Sequence, residues 1–492
     1  TEYGRKRQID QSSCNKDYTC VDGFCPSFVS LEGEIRIKKN YDENLLSKIN
    51  SRIEEPILPK INKSYGIMIA GIGGTGVVTI GAVLATAAQI DGRGSGVLDM
   101  TGLAQKGGAV KSFLRIFEKP EDVGAIRLSY GDTNLLLGFD LLVSNDLEII
   151  KTLDKKISKL IINTDEVMPG DFTRDKDFYL PFEEMRNNLI NIAGLENIKF
   201  ISSNKITSKI LGNSILSNMF NVGVAYQSGL IPISASSIEK AIELNGASVK
   251  DNIDAFRFGR HYENLKEEVI NVVKDEPEIL EGFDAKYQNR FKFLEDYQNK
   301  KYAQNYEDLV SYAKKVDKEV GNGSQFSTAV LKNYFKLMAY KDEYEVSRLM
   351  TNKKFSDDIN KNFEGNFSYN FYLAPPIFSK KSKVDGKLLK IKFGGWLFNV
   401  FKLISKFKFL RGTKFDPFGY LNERKKEREL IRDYKQTIVD IGSKINKSNY
   451  ETAVKIASIP DQIRGFGHVK EKNIKEAINN RTDLLNSFHE NS

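Results

Sequence analysis

From residue 64 to residue 255 the chain alternates short apolar, β-rich runs with stretches whose apolar residues recur at helical spacing. The runs Gly66–Ala70, Gly96–Met100, Val110–Ile116, Leu141–Ser144, Lys159–Asn163 and Lys199–Ser202 predict strands, and several of the intervening segments have helical length. This alternation predicts an α/β domain around a largely parallel sheet. From residue 256 the pattern changes. Segments such as YENLKEEVINVVK and NYEDLVSYAKKVDKEV are long, charged and Tyr-rich, and predict a mainly α-helical domain over 256–492. Residues 351–376, ending in Pro375-Pro376, read as a loop. Residues 1–40 end in the alternating stretch GEIRIKK, and residues 41–63 are polar with two prolines and read as a linker. There is no internal repeat.

One run imitates a membrane span. Residues 66–90 carry no charge, and a hydropathy scan would flag them. Gly71, Gly73, Gly74 and Gly76 fall within six residues, and that cluster would break the centre of a spanning helix. The run instead predicts a strand Ile67–Ala70, a glycine turn and a helix from Val77 to Ile90.

That turn, Gly71-Ile72-Gly73-Gly74-Thr75-Gly76, fits G-x-G-x-x-G between a strand and a helix. Glycine permits a tight turn and close approach of a ligand, and the helix N-terminus offers unbonded N–H groups to a phosphate. Asp99, 23 residues after Gly76, stands close to where a dinucleotide site puts its ribose-binding acid. Dinucleotide binding, binding of another anion or cofactor, and close packing without ligand all remain open on the motif alone. A second turn, Thr101 to Gly108, brings Gln105 and Lys106 as an amide and a cation for the same cleft; the alternative is a surface turn.

Composition narrows the field. The 492 residues hold 73 Lys and Arg against 65 Asp and Glu, a mild net charge of +8 that excludes a polybasic protein. Three Cys exclude a disulfide-built scaffold, and three His leave little room for His-rich metal sites. The chain begins with Thr and no apolar signal segment, and reads as the interior of a longer polypeptide. Cys14, Cys20 and Cys25 are spaced C-x5-C-x4-C with Pro26 following, which suits thiolate ligands of an iron–sulfur cluster but is one short of the usual four. The alternative is three reduced thiols in a loop.

Three blocks then converge: IDQSSCNKDYTCVDGFCPSFVSLEG, GIGGTGVVTIGAVLATAA with DMTGLAQKGGAVKSFLRI, and the C-terminal set YFKLMAYKDEYEVSRL, LAPPIF, LRGTKFDPFGY, ERKKERELIRDY and IPDQIRGFGHVK. Together they resemble the long, fused indolepyruvate ferredoxin oxidoreductases, which are 2-oxoacid:ferredoxin oxidoreductases. The resemblance implies that residues 64–255 are a γ-type α/β domain and residues 256–492 a domain of uncharacterised role. It makes residues 1–40 the cysteine-bearing tail of a thiamine-diphosphate-binding region. It also implies oxidative decarboxylation of an aryl 2-oxoacid such as indole-3-pyruvate to an acyl-CoA, with ferredoxin as electron acceptor. Thiamine diphosphate, magnesium, a 4Fe–4S cluster on Cys14, Cys20 and Cys25 with the fourth ligand unidentified, and coenzyme A come with it. So do an oxygen-sensitive, cytoplasmic homo-oligomer and no nucleic-acid partner. No GDG…N pattern for thiamine diphosphate is present, so that part would lie upstream of Thr1, leaving the chain inactive alone. Coenzyme A phosphates would meet Gly71, Gly73, Gly74, Thr75 and Gly76 with Gln105 and Lys106, unless this domain only braces the catalytic one. No catalytic residue is assigned. The rival readings are an NAD-dependent oxidoreductase using Gly71, Gly73, Gly76 and Asp99, and a non-catalytic scaffold subunit.

Residues 380–432 carry sixteen Lys or Arg against five Asp or Glu. Trp396, Val400, Leu403, Phe407 and Leu410 step by four and three, which predicts a helix turning that face to the core, with Lys402, Lys406 and Lys408 solvated. A membrane-surface helix, a nucleic-acid patch and a docking surface for an acidic partner such as ferredoxin are the alternatives. Glu345 and Arg348, at i and i+3, predict an ion pair on a helix surface.

Overall fold

The computed structural model describes residues 28–38, 47–102, 108–167, 178–273, 282–374, 389–465 and 467–490, with Ile9, Tyr18 and Val21. They fall into two compact units, one within residues 47–273 and one of residues 28–37 with 282–490. Strand β1 (Phe28–Ile37) belongs to the second.

The first unit is built on β2 (Ser64–Ile72), β3 (Gly94–Thr101), β4 (Ala109–Phe117), β5 (Leu135–Gly138), β6 (Lys159–Asn163) and β7 (Ile198–Ile201), in the order β3-β4-β2-β5-β6-β7. Strands β2, β5, β6 and β7 are mutually parallel, and β4 runs antiparallel to both of its neighbours. The sheet is therefore largely parallel, with β4 alone opposed. Its helices are α1 (Val77–Ile90), α2 (Leu141–Ser144), α3 (Leu147–Ile150), α4 (Phe182–Ala193), α5 (Ser203–Ile210), α6 (Ser217–Gln227), α7 (Ala235–Asn245), α8 (Val249–His261) and α9 (Lys266–Val273). Strand β2 is almost wholly buried because helices cover both faces. Ile67 and Ile69 face α1 and α5 to α8, while Met68 and Ala70 face α2, α3 and α4.

The uncharged run 66–90 divides into strand, turn and helix as predicted, and among the described residues no helix is long and apolar enough to cross a membrane. Three expectations need correction here. Leu141–Ser144 is a helix, and the strand is Leu135–Gly138 just before it. Asp140 decides the change, because its carboxylate accepts the Val143 N–H at 2.8 Å and starts a helical turn. The expected domain edge at 255/256 falls inside α8, whose Phe256 and Phe258 are core residues of the first unit. The expected linker at 41–63 is described from residue 47 on: residues 47–49 are helical and put Ile49 in this core, and residues 51–63 have neither helix nor strand, yet Leu58 and Ile61 pack on it and Glu55 pairs with Arg260 at 2.9 Å.

In the second unit β1 pairs antiparallel with β8 (Phe363–Leu373) from Phe28↔Tyr372 to Ile37↔Phe363, and β9 (Ile391–Phe393) takes the other edge of β8. Its helices are α10 (Phe283–Tyr297), α11 (Lys300–Val320), α12 (Gln325–Met338), α13 (Glu343–Thr351), α14 (Lys353–Asn362), α15 (Leu397–Lys406), α16 (Asn422–Gly442), α17 (Tyr450–Ser458) and α18 (Gly467–Glu490). The mainly helical expectation holds. The expected loop at 351–376 does not, since α14 and β8 occupy most of it. Phe367, Tyr369, Phe371 and Leu373 alternate there at the strand period, among Asn, Gly and Ser that read as turn residues. The tyrosines explain themselves by burial. Tyr306 donates to the Leu331 carbonyl, Tyr434 to that of Ala457 and Tyr297 to that of Tyr340, each at 2.8 Å, so each large ring is buried with its hydroxyl satisfied. The Glu345–Arg348 pair forms at 2.8 Å, but Glu345 is buried and Arg348 partly so, with the guanidinium 5.0 Å from the Phe293 ring centre.

Helix α15 departs furthest from its pattern. Leu397 and Phe401 are its buried residues, whereas Trp396, Leu403 and Phe407 of the predicted core face are exposed.

Candidate functional site

The glycine turn joins β2 to α1 at the carboxyl end of the sheet. Strand β2 runs on to Ile72, so Gly71 is the penultimate strand residue. A Cβ there would stand 2.8 Å from Val77 Cγ2 and 3.2 Å from Phe139 Cβ, so glycine lets the turn and β5 close together. Gly73 donates its N–H to the Gly108 carbonyl at 2.7 Å. Gly74 and Gly76 hold φ of 87° and 92°, a region that disfavours side chains. Thr75 donates its hydroxyl to the Ile72 carbonyl at 2.7 Å, and its own carbonyl accepts from Asn218 Nδ2 at 2.8 Å.

The first helical bond of α1 runs from Ile80 N–H to the Gly76 carbonyl, and no side chain caps the helix. The amides of Val77, Val78 and Thr79 thus precede the hydrogen-bonded ladder and carry the positive end of the helix dipole. Topology puts this end at a crevice. From β2 the chain builds β3 and β4 on one side, then returns to build β5, β6 and β7 on the other. Open α/β sheets bind ligands at such a switch point, outside the carboxyl ends of the strands.

Polar residues that the sequence reading passed over gather at these strand ends. Asp140 follows β5, and Phe139 beside it donates its N–H to the Ala70 carbonyl at 2.7 Å. Burial raises the Asp140 carboxyl above its ordinary value against the pull of the Val143 and Leu142 amides. Asn163, ending β6, reaches the Phe139 carbonyl at 3.2 Å and Asn204 Oδ1 at 3.0 Å, and accepts from the Ser203 N–H at 3.1 Å. Asp165 accepts the N–H groups of Asn204 at 2.6 Å and Lys205 at 3.1 Å, and burial likewise raises its carboxyl. Asn221 is fully buried, accepts from Ser203 Oγ at 2.6 Å, and leaves its Nδ2 without a partner. The signal for Asp140, Asn163 and Asp165 is a polar residue at or within two positions of the end of a β run, and misplacing β5 at 141–144 hid Asp140; Asn221, inside α6, carries no such signal.

Asp99 does not meet the glycine turn as a dinucleotide site requires. That site puts its acid at the end of the strand beside the first one. Here β4 lies between β2 and β3, and Asp99 accepts the Ser112 hydroxyl across the β3–β4 pair at 2.5 Å. Gly71, Gly73, Gly74, Thr75 and Gly76 are brought together, whereas Gln105, Lys106, Cys14, Cys20 and Cys25 lie outside the described residues. Among the described residues no group of three or more His, Cys, Asp or Glu could hold a metal ion.

Residues 66–262 match the family described as pyruvate ferredoxin/flavodoxin oxidoreductase, and residues 283–482 match a family of unknown function, DUF6537. An indolepyruvate oxidoreductase subunit IorB from Methanothermobacter thermautotrophicus is 27% identical over 200 residues, 40% of this chain and 96% of its own length. The subunit of that name from Archaeoglobus fulgidus is 25% identical over 195 residues, 39% of this chain and 92% of its own. Among solved structures, the pyruvate oxidoreductase subunit PORC of Thermotoga maritima is 20% identical with a TM-score of 0.30, covering 41% of this chain and 97% of its own. The 2-oxoglutarate:ferredoxin oxidoreductase of Magnetococcus marinus is 14% identical with a TM-score of 0.29, covering 48% of this chain and 38% of its own.

Proposed function

We propose, from the premise that residues 66–262 are a γ-type domain of the indolepyruvate ferredoxin oxidoreductase kind, that this chain serves a cytoplasmic, homo-oligomeric 2-oxoacid:ferredoxin oxidoreductase acting on an aryl pyruvate. In this reading the glycine turn holds phosphate groups of coenzyme A. The observation that carries it is the uncapped start of α1, reached through Gly74 and Gly76 at the switch point of the sheet.

The chain's own residues would act by binding and positioning. The Val77, Val78 and Thr79 amides receive phosphate oxygens. Asn218 fixes the turn through the Thr75 carbonyl. Asp140, its carboxyl raised by burial, starts α2 beside the crevice by accepting the Val143 amide. Gln105 and Lys106 are proposed to complete the cradle, and Cys14, Cys20 and Cys25 to hold the iron–sulfur cluster. Thiamine diphosphate with magnesium supplies the electron sink for decarboxylation in this chemistry.

The reading is tested by anaerobic assay of the full chain with the thiamine-binding partner of its complex. Reduction of ferredoxin that requires both indole-3-pyruvate and coenzyme A supports it. Reduction of NAD by the same mixture, with ferredoxin left oxidised, contradicts it.

A further inference from the structure

We propose that the exposed stripe of α15, formed by Trp396, Leu403 and Phe407 with Lys402, Lys406 and Lys414 nearby in the chain, is a docking surface for an acidic electron-carrier protein. The class of partner rests on the proposed function; the surface rests on the fold.

At about 100° per residue, Trp396, Val400, Leu403 and Phe407 share one face of the helix. Leu397 and Phe401 lie on the adjacent face and pack on the sheet, with the Phe401 ring 5.2 Å from that of Phe371. Val400 on that face is partly buried against the same cluster, so the fold covers Leu397, Phe401 and Val400 and leaves Trp396, Leu403 and Phe407 to solvent. Trp396 is 61% exposed, Leu403 58% and Phe407 42%. The row continues at both ends, because the Trp396 ring meets Phe393 at 6.2 Å and Phe407 meets the exposed Phe409 at 6.1 Å. Single exposed apolar residues need no explanation, but a connected row does.

Charge identifies the occupant. Residues 389–420 contain seven Lys or Arg and one acid, Asp416. Arg411 and Asp416 are buried and engaged inside the unit. Lys408 donates to the Asp296 carbonyl, Lys390 to that of Val21, and Lys392 pairs with Glu32 at 3.1 Å. Lys402 lies 4.8 Å from the Phe398 ring centre, and Lys402, Lys406 and Lys414 have no carboxylate within 4.0 Å among the described residues. Three ammonium groups without a carboxylate partner among the described residues, in the segment that carries the apolar row, call for an acidic surface with an apolar centre. Electron-transfer encounters use such small surfaces, steered by opposite fields. A bilayer is the poorer fit, since interfacial helices insert their whole apolar face and half of this one is committed to the sheet.

Trp396 is the only tryptophan of the chain, so its fluorescence reads the surface directly. The probe is a small acidic 4Fe–4S ferredoxin that lacks tryptophan, added anaerobically to the full chain. Docking predicts a blue-shifted emission and about twofold protection of Trp396 from acrylamide, both weakening as salt rises. Lys402→Glu with Lys406→Glu and Lys414→Glu should lower affinity by about tenfold or more and flatten the salt dependence. Leu403→Ser with Phe407→Ser should lower affinity and keep that dependence. A silent Trp396, equal binding by both folded variants, or a shift with phosphatidylglycerol vesicles and none with ferredoxin would overturn the proposal. A silent Trp396 in a complex that still reduces ferredoxin removes this surface alone. A responsive Trp396 in a complex that never does so supports the surface and removes the functional reading.

Discussion

The glycine turn at 71–76 and the helix at 397–406 both announce themselves by spacing, yet the fold obeys only the first in full. Glycine spacing is a statement about backbone. Gly74 and Gly76 adopt the positive φ that glycine permits, and Gly71 admits the close approach of Val77 and Phe139. Apolar spacing states only that a face needs cover, not what covers it. In α15 the Leu397–Phe401 sector won the place against Phe371, and the Trp396–Leu403–Phe407 sector was left to solvent. A pattern that carries its own geometry thus transfers from sequence to structure more safely than one that depends on a distant partner.

The sharpest way to press the contrast is inside the basic segment itself. Arg411 is its core cation, bonded to Asp342 at 2.5 and 2.8 Å and lying 3.6 Å from the Tyr297 ring centre. Arg411→Ala leaves Asp342 buried without its charge partner and should cost about 3–5 kcal/mol in urea unfolding of the second unit. A cost below about 1 kcal/mol would mean that this arginine is surface charge like its neighbours.

Next comes a paired truncation within α15. Phe401→Ala should cost about 3 kcal/mol and Leu403→Ala about 0.5 kcal/mol or less, read as shifts in the same transition. The reverse order would restore the face that periodicity predicts and remove the exposed stripe.

The smallest effect concerns the strand-end carboxyl. Because burial raises the folded-state value of Asp140, its contribution favours the folded form most fully below the unfolded value, about 3.9, and is lost as pH rises through the folded value. Asp140→Asn cannot titrate and still accepts the Val143 amide, so it should gain on the parent as pH rises from 4 to 7. A gap that stays constant over that range would place Asp140 in an ordinary aqueous setting.

Much of the first unit was legible because both faces of its sheet are covered, which makes β2 a nearly continuous apolar run. The glycine turn was legible for the reason already given. The four-residue runs 135–138 and 141–144 were not, because only the Asp140 cap distinguishes helix from strand there. Nor was β8, whose aromatic alternation is spaced by turn-forming residues and whose partner β1 lies more than 300 residues earlier. Asn163 at the end of β6, and Asn218 and Asn221 on α6, acquire meaning only when the topology brings four parallel strands to one edge.

Calorimetric titration of the full chain with coenzyme A, beside Gly76→Val and Asp99→Ala, addresses the glycine turn most directly. A side chain at φ 92° strains the turn by about 1–2 kcal/mol and crowds the start of α1, so coenzyme A should bind saturably and lose at least about tenfold in affinity in Gly76→Val, with Asp99→Ala unchanged. Coenzyme A binding indifferent to Gly76→Val in the folded chain, or tight NADH binding abolished by Asp99→Ala, would contradict it.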